Sequence, residues 1–162
     1  MQEHLATSQA PFHYMDSGLP NVFLIGIRFV TCECGRVIAD IPAIKQLHQL
    51  IARDLVHKAE ALTGDEIRFL RKRLGKKSIE FAREIGVDPA TMSRIENGRQ
   101  SAGEPTDKLI RLRYAISASD DVLLHDLAQD VDRLLREWVG SSVPKKIVKS
   151  VKDNKWSAGK SA

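Results

Sequence analysis

Between Pro89 and Glu96 the chain offers a guanidinium, two hydroxyls and a methyl side chain at helical spacing. Met92 and Ile95 fall on one side of that pattern, which leaves Ala90, Thr91, Ser93 and Arg94 on the other. A guanidinium is a planar fork of donors that pairs bidentately with O6 and N7 of guanine, worth ~1–3 kcal/mol of discrimination between bases. Ala90 and Thr91 are small enough to meet a thymine methyl, and Ser93 adds one adaptable hydroxyl. The chemistry of this face is base reading, with Arg94 as its main contact. A second constellation, Cys32-Glu33-Cys34, carries two thiols, which suit a metal or disulfide exchange.

Short capped helices must position the first group. Asp88 precedes Pro89 and reads as the cap of the reading helix, which runs to Asn97-Gly98. Ahead of it, Ser78 reads as the cap of a helix that carries Ile79, Phe81, Ala82 and Ile85 and stops at Gly86. Thr63, with Glu66 three residues later, forms a capping-box pattern before Ile67, Phe69, Leu70 and Leu74, and Gly75 closes that helix. A fourth helix begins at Pro105 and Thr106 and carries Leu109, Ile110 and Leu112. The thiols sit in different surroundings. Residues 22–30 are rich in β-branched and aromatic side chains and read as one strand, Cys32 to Arg36 as a tight turn, and Val37 to Asp40 as the returning strand. Pro42 marks the start of a helix with Ile44, Leu47, Ile51 and Leu55 on one face and Leu50 beside them.

The expected architecture is therefore α+β. A disordered leader (1–10) precedes a small β-rich domain with one helix (11–60), then an all-α helix-turn-helix domain (62–114). An additional amphipathic helix (119–139) follows, built on Val122, Leu123, Leu124, Leu127, Val131, Leu134, Leu135 and Trp138, and then a basic flexible tail (140–162).

The segment from Ser78 to Gly98, two short helices joined through a glycine-containing turn and ending Ile95-Glu96-Asn97-Gly98, resembles the Cro and phage-repressor (Xre) family over about Leu62 to Tyr114. The resemblance implies that helix 89–97 enters the major groove of operator DNA. It also implies that Ser78 meets a phosphate at the start of its helix, and that Asn97 and Arg99 reach the DNA backbone just past the reading helix. Lys76, Lys77 and Gln100 are additional candidates for backbone contact. Arg71 and Glu96 match positions that form an internal ion pair joining the first and third helices, since a carboxylate turned toward phosphate would oppose binding. Lys72, Arg73 and Arg83 read as solvated surface.

The front of the chain, from Tyr14-Met15-Asp16-Ser17-Gly18-Leu19-Pro20-Asn21-Val22 through Cys32-Glu33-Cys34-Gly35 to Ile41-Pro42, resembles the MqsA-type antitoxins. Those carry a zinc-finger domain ahead of a repressor-like one. The resemblance implies a homodimer, promoter binding and a toxin protein as partner. The family's zinc site uses two Cys-x-x-Cys pairs, whereas this chain has a single Cys32-x-Cys34. Structural zinc takes four ligands, so His13 or His48 would have to be recruited. The expectation is a degenerate zinc-finger-like fold with no cofactor, zinc at Cys32 and Cys34 being the weaker reading. A redox role is weaker still, because no βαβ pattern surrounds the thiols.

Bulk properties agree. Residues 62–114 hold 12 Lys and Arg against 8 Asp and Glu, residues 115–139 hold 2 against 6, and residues 140–162 hold 6 against 1, so the positive charge sits in the segment of helix 89–97 and in the tail, separated by an acidic stretch. The first residues lack both the basic start and the apolar run of a secretory signal, and a cytoplasmic location is expected. Enzyme chemistry finds little footing. Gly64 and Gly75 lie at helix boundaries without phosphate-loop spacing, and no nucleophile-elbow pattern occurs. A DNA-binding regulator is the expected class, with a toxin-neutralising interaction protein as the alternative.

Overall fold

A computed structural model describes residues 1–118, 125, 129, 149–152 and 155–158, the last two segments by their backbone alone. The first forty residues form five short strands, β1 (Gln2–Leu5), β2 (Phe12–His13), β3 (Phe23–Leu24), β4 (Arg28–Thr31) and β5 (Val37–Asp40). β1, β4 and β5 make one antiparallel sheet with β4 in the centre, where Val30 faces Glu3 on one side and Ile38 on the other. β2 and β3 pair separately. Two expectations fail here. Residues 22–30 are not one strand, because Gly26 at φ 76° breaks the run and sends the chain from one ladder into the other. The expected leader 1–10 instead supplies β1. A centre strand has two edges, and the leader's backbone fills the one that β5 leaves open. His4 stacks on Phe29 with centroids 5.1 Å apart and meets Thr31 Oγ1 at 3.0 Å, while Ala6 is buried.

Five helices follow: α1 (Ile44–His57), α2 (Gly64–Arg73), α3 (Ser78–Glu84), α4 (Pro89–Glu96) and α5 (Glu104–Ala118). α1 starts two residues after Pro42, and it buries Ala52, Leu55 and Val56, leaving Ile44 and Leu50 exposed. Thr63 caps α2 through a complete capping box with Glu66, and Asp88 caps α4. Ser78 is the first residue of α3 rather than its cap. α5 turns Asp107, Ile110, Arg111, Tyr114 and Ala115 inward; of the expected apolar positions Leu109 is exposed and Leu112 only partly buried.

No separate core forms on either side of residue 61. Leu19, the inner face of α1, and Ile67, Leu70, Phe81, Met92 and Ile110 belong to one cluster. The segment between α1 and α2 is held by charge as well. Arg111 is buried beside Asp107 (Nε to Oδ2, 2.7 Å) and donates to the carbonyls of Leu55, Val56, Lys58 and Glu60. Asp107 accepts the Leu62 amide at 2.7 Å, and Lys58 pairs with the buried Glu66 at 2.9 Å. The boundary expected between the two domains is thus a fixed joint.

The expected amphipathic helix 119–139 lies outside the described residues apart from His125 and Gln129, both helical. Residues 130–162 form a compact unit apart from residues 1–129. Within it β6 (Lys149–Lys152) pairs antiparallel with β7 (Lys155–Ala158), so a ladder stands where a flexible tail was expected. Asp153 and Asn154, both turn-favouring types, separate the strands, and Val151 and Trp156, both strand formers, are partners. Among the described residues no helix is long and apolar enough to cross a membrane.

Candidate nucleic-acid interface

α4 buries Met92 and Ile95 and leaves Ala90, Ser93 and Arg94 exposed, with Thr91 half-buried beside them. Arg94 Nη2 donates to Thr91 Oγ1 at 2.9 Å, one turn back. That contact holds the guanidinium along the helix face while leaving donors for a base edge. The Thr91 amide is taken by the Asp88 carboxylate at 3.0 Å, so Asp88 acts on the helix end rather than on a ligand. Past the helix, Gly98 adopts φ 67° and the Arg99 amide returns to the Arg94 carbonyl. Arg99 and Gln100 are exposed there.

Two tethers hold α4 against α2. Arg71 Nε donates to Glu96 Oε1 at 2.5 Å and Nη2 to Oε2 at 3.0 Å, a bidentate pair with Glu96 buried, and its Nη1 donates to the Lys76 carbonyl. Sequence reasoning missed the second tether. Arg68 pairs with Asp65 at 3.0 Å, donates to the Glu96 carbonyl, and reaches Asn97 Oδ1 at 3.0 Å. Only a hydrophilic position on an amphipathic helix was visible there. Asn97 Nδ2 also donates to the Ser93 carbonyl at 2.8 Å, so this side chain acts first as a helix-end lock.

The remaining backbone candidates are unequal. Lys77 is exposed, and Ser78 is half-buried in the first turn of α3. The Glu80 carboxylate accepts the Lys77 amide at 3.2 Å, so one donor of that helix end is already used. Lys76 lies 3.6 Å from Glu84, whose carboxyl is held below its usual range mainly by the hydrogen bond from Arg113. The thiols lie elsewhere, at the β4–β5 turn, where Cys34 is exposed and its amide meets Cys32 Sγ at 3.4 Å. His13 is bound to the Pro20 carbonyl and His48 to Tyr14 Oη. Among the described residues no three His, Cys, Asp or Glu side chains gather, and two thiols alone do not fit a structural zinc centre.

Close approach of α2 to α4 rests on Gly64. A Cβ there would overlap the Ile95 carbonyl oxygen and crowd the Glu96 backbone. At an open helical position Gly→Ala is stabilising by up to ~1 kcal/mol. Here Gly64→Ala is expected to destabilise by about 1–3 kcal/mol, because a backbone oxygen cannot swing aside. Urea unfolding decides the sign, and a more stable variant would refute the close approach.

Tethers, caps and an exposed outer face of the second helix define a class: a helix-turn-helix with α3 and α4 as its two helices. Residues 67–109, roughly a quarter of the chain, match the family model described as helix-turn-helix. This segment is a helix-turn-helix domain of the kind carried by DNA-binding regulators. Neither the curated proteins nor the solved structures compared with the chain gave a match.

Proposed function

We propose that the protein is a sequence-specific transcriptional regulator, a dimeric repressor that reads the major groove with α4. The observation that carries this is the outward face of α4, where Arg94 is steadied by Thr91 while Arg71 and Arg68 lock the helix end from behind. Arg94 would read guanine, with Ala90, Thr91 and Ser93 on neighbouring bases, and Lys77, Ser78, Arg99 and Gln100 on phosphates. A single unit reads one half-site, and two units ~34 Å apart read a palindrome. Leu109, Leu112 and Ile116 share one stripe of α5, with Leu109 and Ile116 exposed, which supports that stripe as a dimer surface.

The test titrates the protein and Arg94→Ala against its own upstream DNA and scrambled DNA at several salt concentrations. The expected result is a loss of about 5- to 150-fold on the upstream sequence, from ~1–3 kcal/mol of lost discrimination, with scrambled DNA unaffected. Equally weak binding to both DNAs would remove the base-reading role. A second reading, an autoregulating antitoxin whose front elements bind a toxin protein, draws support from the exposed Phe23, Ile25, Val37 and Ile38 on β3, β5 and the segment after β3.

A further inference from the structure

A groove of about 630 Å³ opens between α1, the end of α2 and the end of α5. Small-molecule sites occupy ~300–1,000 Å³. Lys45 and Arg53 from α1 and Arg73 from α2 line it, and among the described residues no acidic side chain does. Leu50, Leu74 and Tyr114 supply its apolar wall, and Leu50 is 54% exposed.

Arg73 is held there by an imidazole and an aromatic ring. Its Nη1 donates to His48 Nδ1 at 2.6 Å, and its guanidinium lies 5.4 Å from the centroid of the Phe69 ring. A donor at Nδ1 places the imidazole proton on Nε2, which donates to Tyr14 Oη at 3.0 Å. Burial, and then the neighbouring Arg73, hold His48 below its ordinary value, so the ring is neutral at pH 7. A neutral acceptor orients the guanidinium and adds no negative charge. Among the described residues Arg73 has no carboxylate partner, and a guanidinium with one donor engaged keeps four for a ligand. The position that reads as plain solvated surface in the sequence is thus a held cation at the mouth of a groove that, among the described residues, no acidic side chain lines.

We propose that this groove binds a small organic oxyanion, a carboxylate or phosphate ester with a flat apolar body. Arg73 and Lys45 take the charged end, and Tyr114 and Leu50 cover the body. A DNA backbone phosphate has the same oxyanion chemistry, so the test must separate the two sources. No residue of α3 or α4 lines the groove, and ligand binding is readable whether or not α4 reads bases.

Phenyl phosphate is titrated into the full-length, isotope-labelled protein, with phenol as the uncharged control, and amide shifts are followed by NMR. The expected result is a saturable set of shifts centred on Lys45, His48, Arg73 and Tyr114, absent with phenol. Arg73→Gln and Lys45→Gln should each weaken binding about tenfold, equivalent to ~1.4 kcal/mol, with the spectrum otherwise preserved, and Arg73→Lys should retain part of the affinity. Shifts that persist with saturating upstream duplex support the small ligand. Shifts reproduced by duplex alone, and lost to phenyl phosphate once duplex is bound, would assign the groove to DNA and overturn the small-molecule reading. No saturable shift, or a pattern untouched by Arg73→Gln, would overturn the site altogether.

Discussion

Replacing Arg111 with alanine is expected to lower the unfolding free energy by about 3–5 kcal/mol, a fall in Tm on the order of 10–20 °C for a unit of this size. The reason lies in what the substitution leaves behind. Asp107 would remain buried with its cation gone, and the carbonyls of Leu55, Val56, Lys58 and Glu60 would lose the donors that satisfy them. Those carbonyls close α1 and run through the segment leading to α2, so the damage falls on the joint between front and rear elements. A double variant, Asp107→Leu with Arg111→Met, removes the unpaired charge and should recover part of the loss. It should stay below the parent because the carbonyls are still unserved. Thermal and urea unfolding of the three proteins check this, and a loss under about 1 kcal/mol for Arg111→Ala would refute the joint.

Arg71→Ala is the second large effect, expected to cost about 2–4 kcal/mol. Arg71 keeps 11% of its side chain exposed and Glu96 only 6%, so water compensates the orphaned carboxylate poorly. The Lys76 carbonyl loses a donor at the same time. Because the pair fixes α4 rather than touching bases, affinity should fall on upstream and scrambled DNA alike, in contrast to Arg94→Ala. Adding Glu96→Gln to Arg71→Ala removes the charge and should restore some stability. Unfolding curves and DNA titrations on the same samples separate the two roles. A loss confined to the upstream sequence would make Arg71 a base-reading residue instead.

The groove and the outward face of α4 lie on different helices, so a bound oxyanion would reach α4 only through the packing of α1, α2 and α5.

Local patterns were legible wherever the interaction is local. The capping box at Thr63 and Glu66, the Asp88 cap with Pro89 behind it, and the inward Met92 and Ile95 each depend on residues within one turn, and the structure has all of them. The α+β class and the order of the four rear helices followed from the same short-range signals. Pairings across long stretches of chain were not legible. β1 joins β4 across more than twenty residues, and nothing in Gln2-Glu3-His4-Leu5 announces a strand until a free sheet edge meets it. The role of Arg111 was not legible, because the carbonyls it serves come together with it only when α5 packs on α1. Gly64 looked like a helix-start glycine, and its role lies in the Ile95 backbone that folding brings against it. By itself the sequence determined which of the described helices form, where α2 and α4 begin and which residues of α4 face outward, since helical periodicity and capping are properties of neighbouring residues. Tertiary structure alone decided that the front and rear share one core, which charges are buried, and that Arg73 is a held cation. Burial and pairing belong to surfaces that exist only once distant elements are packed.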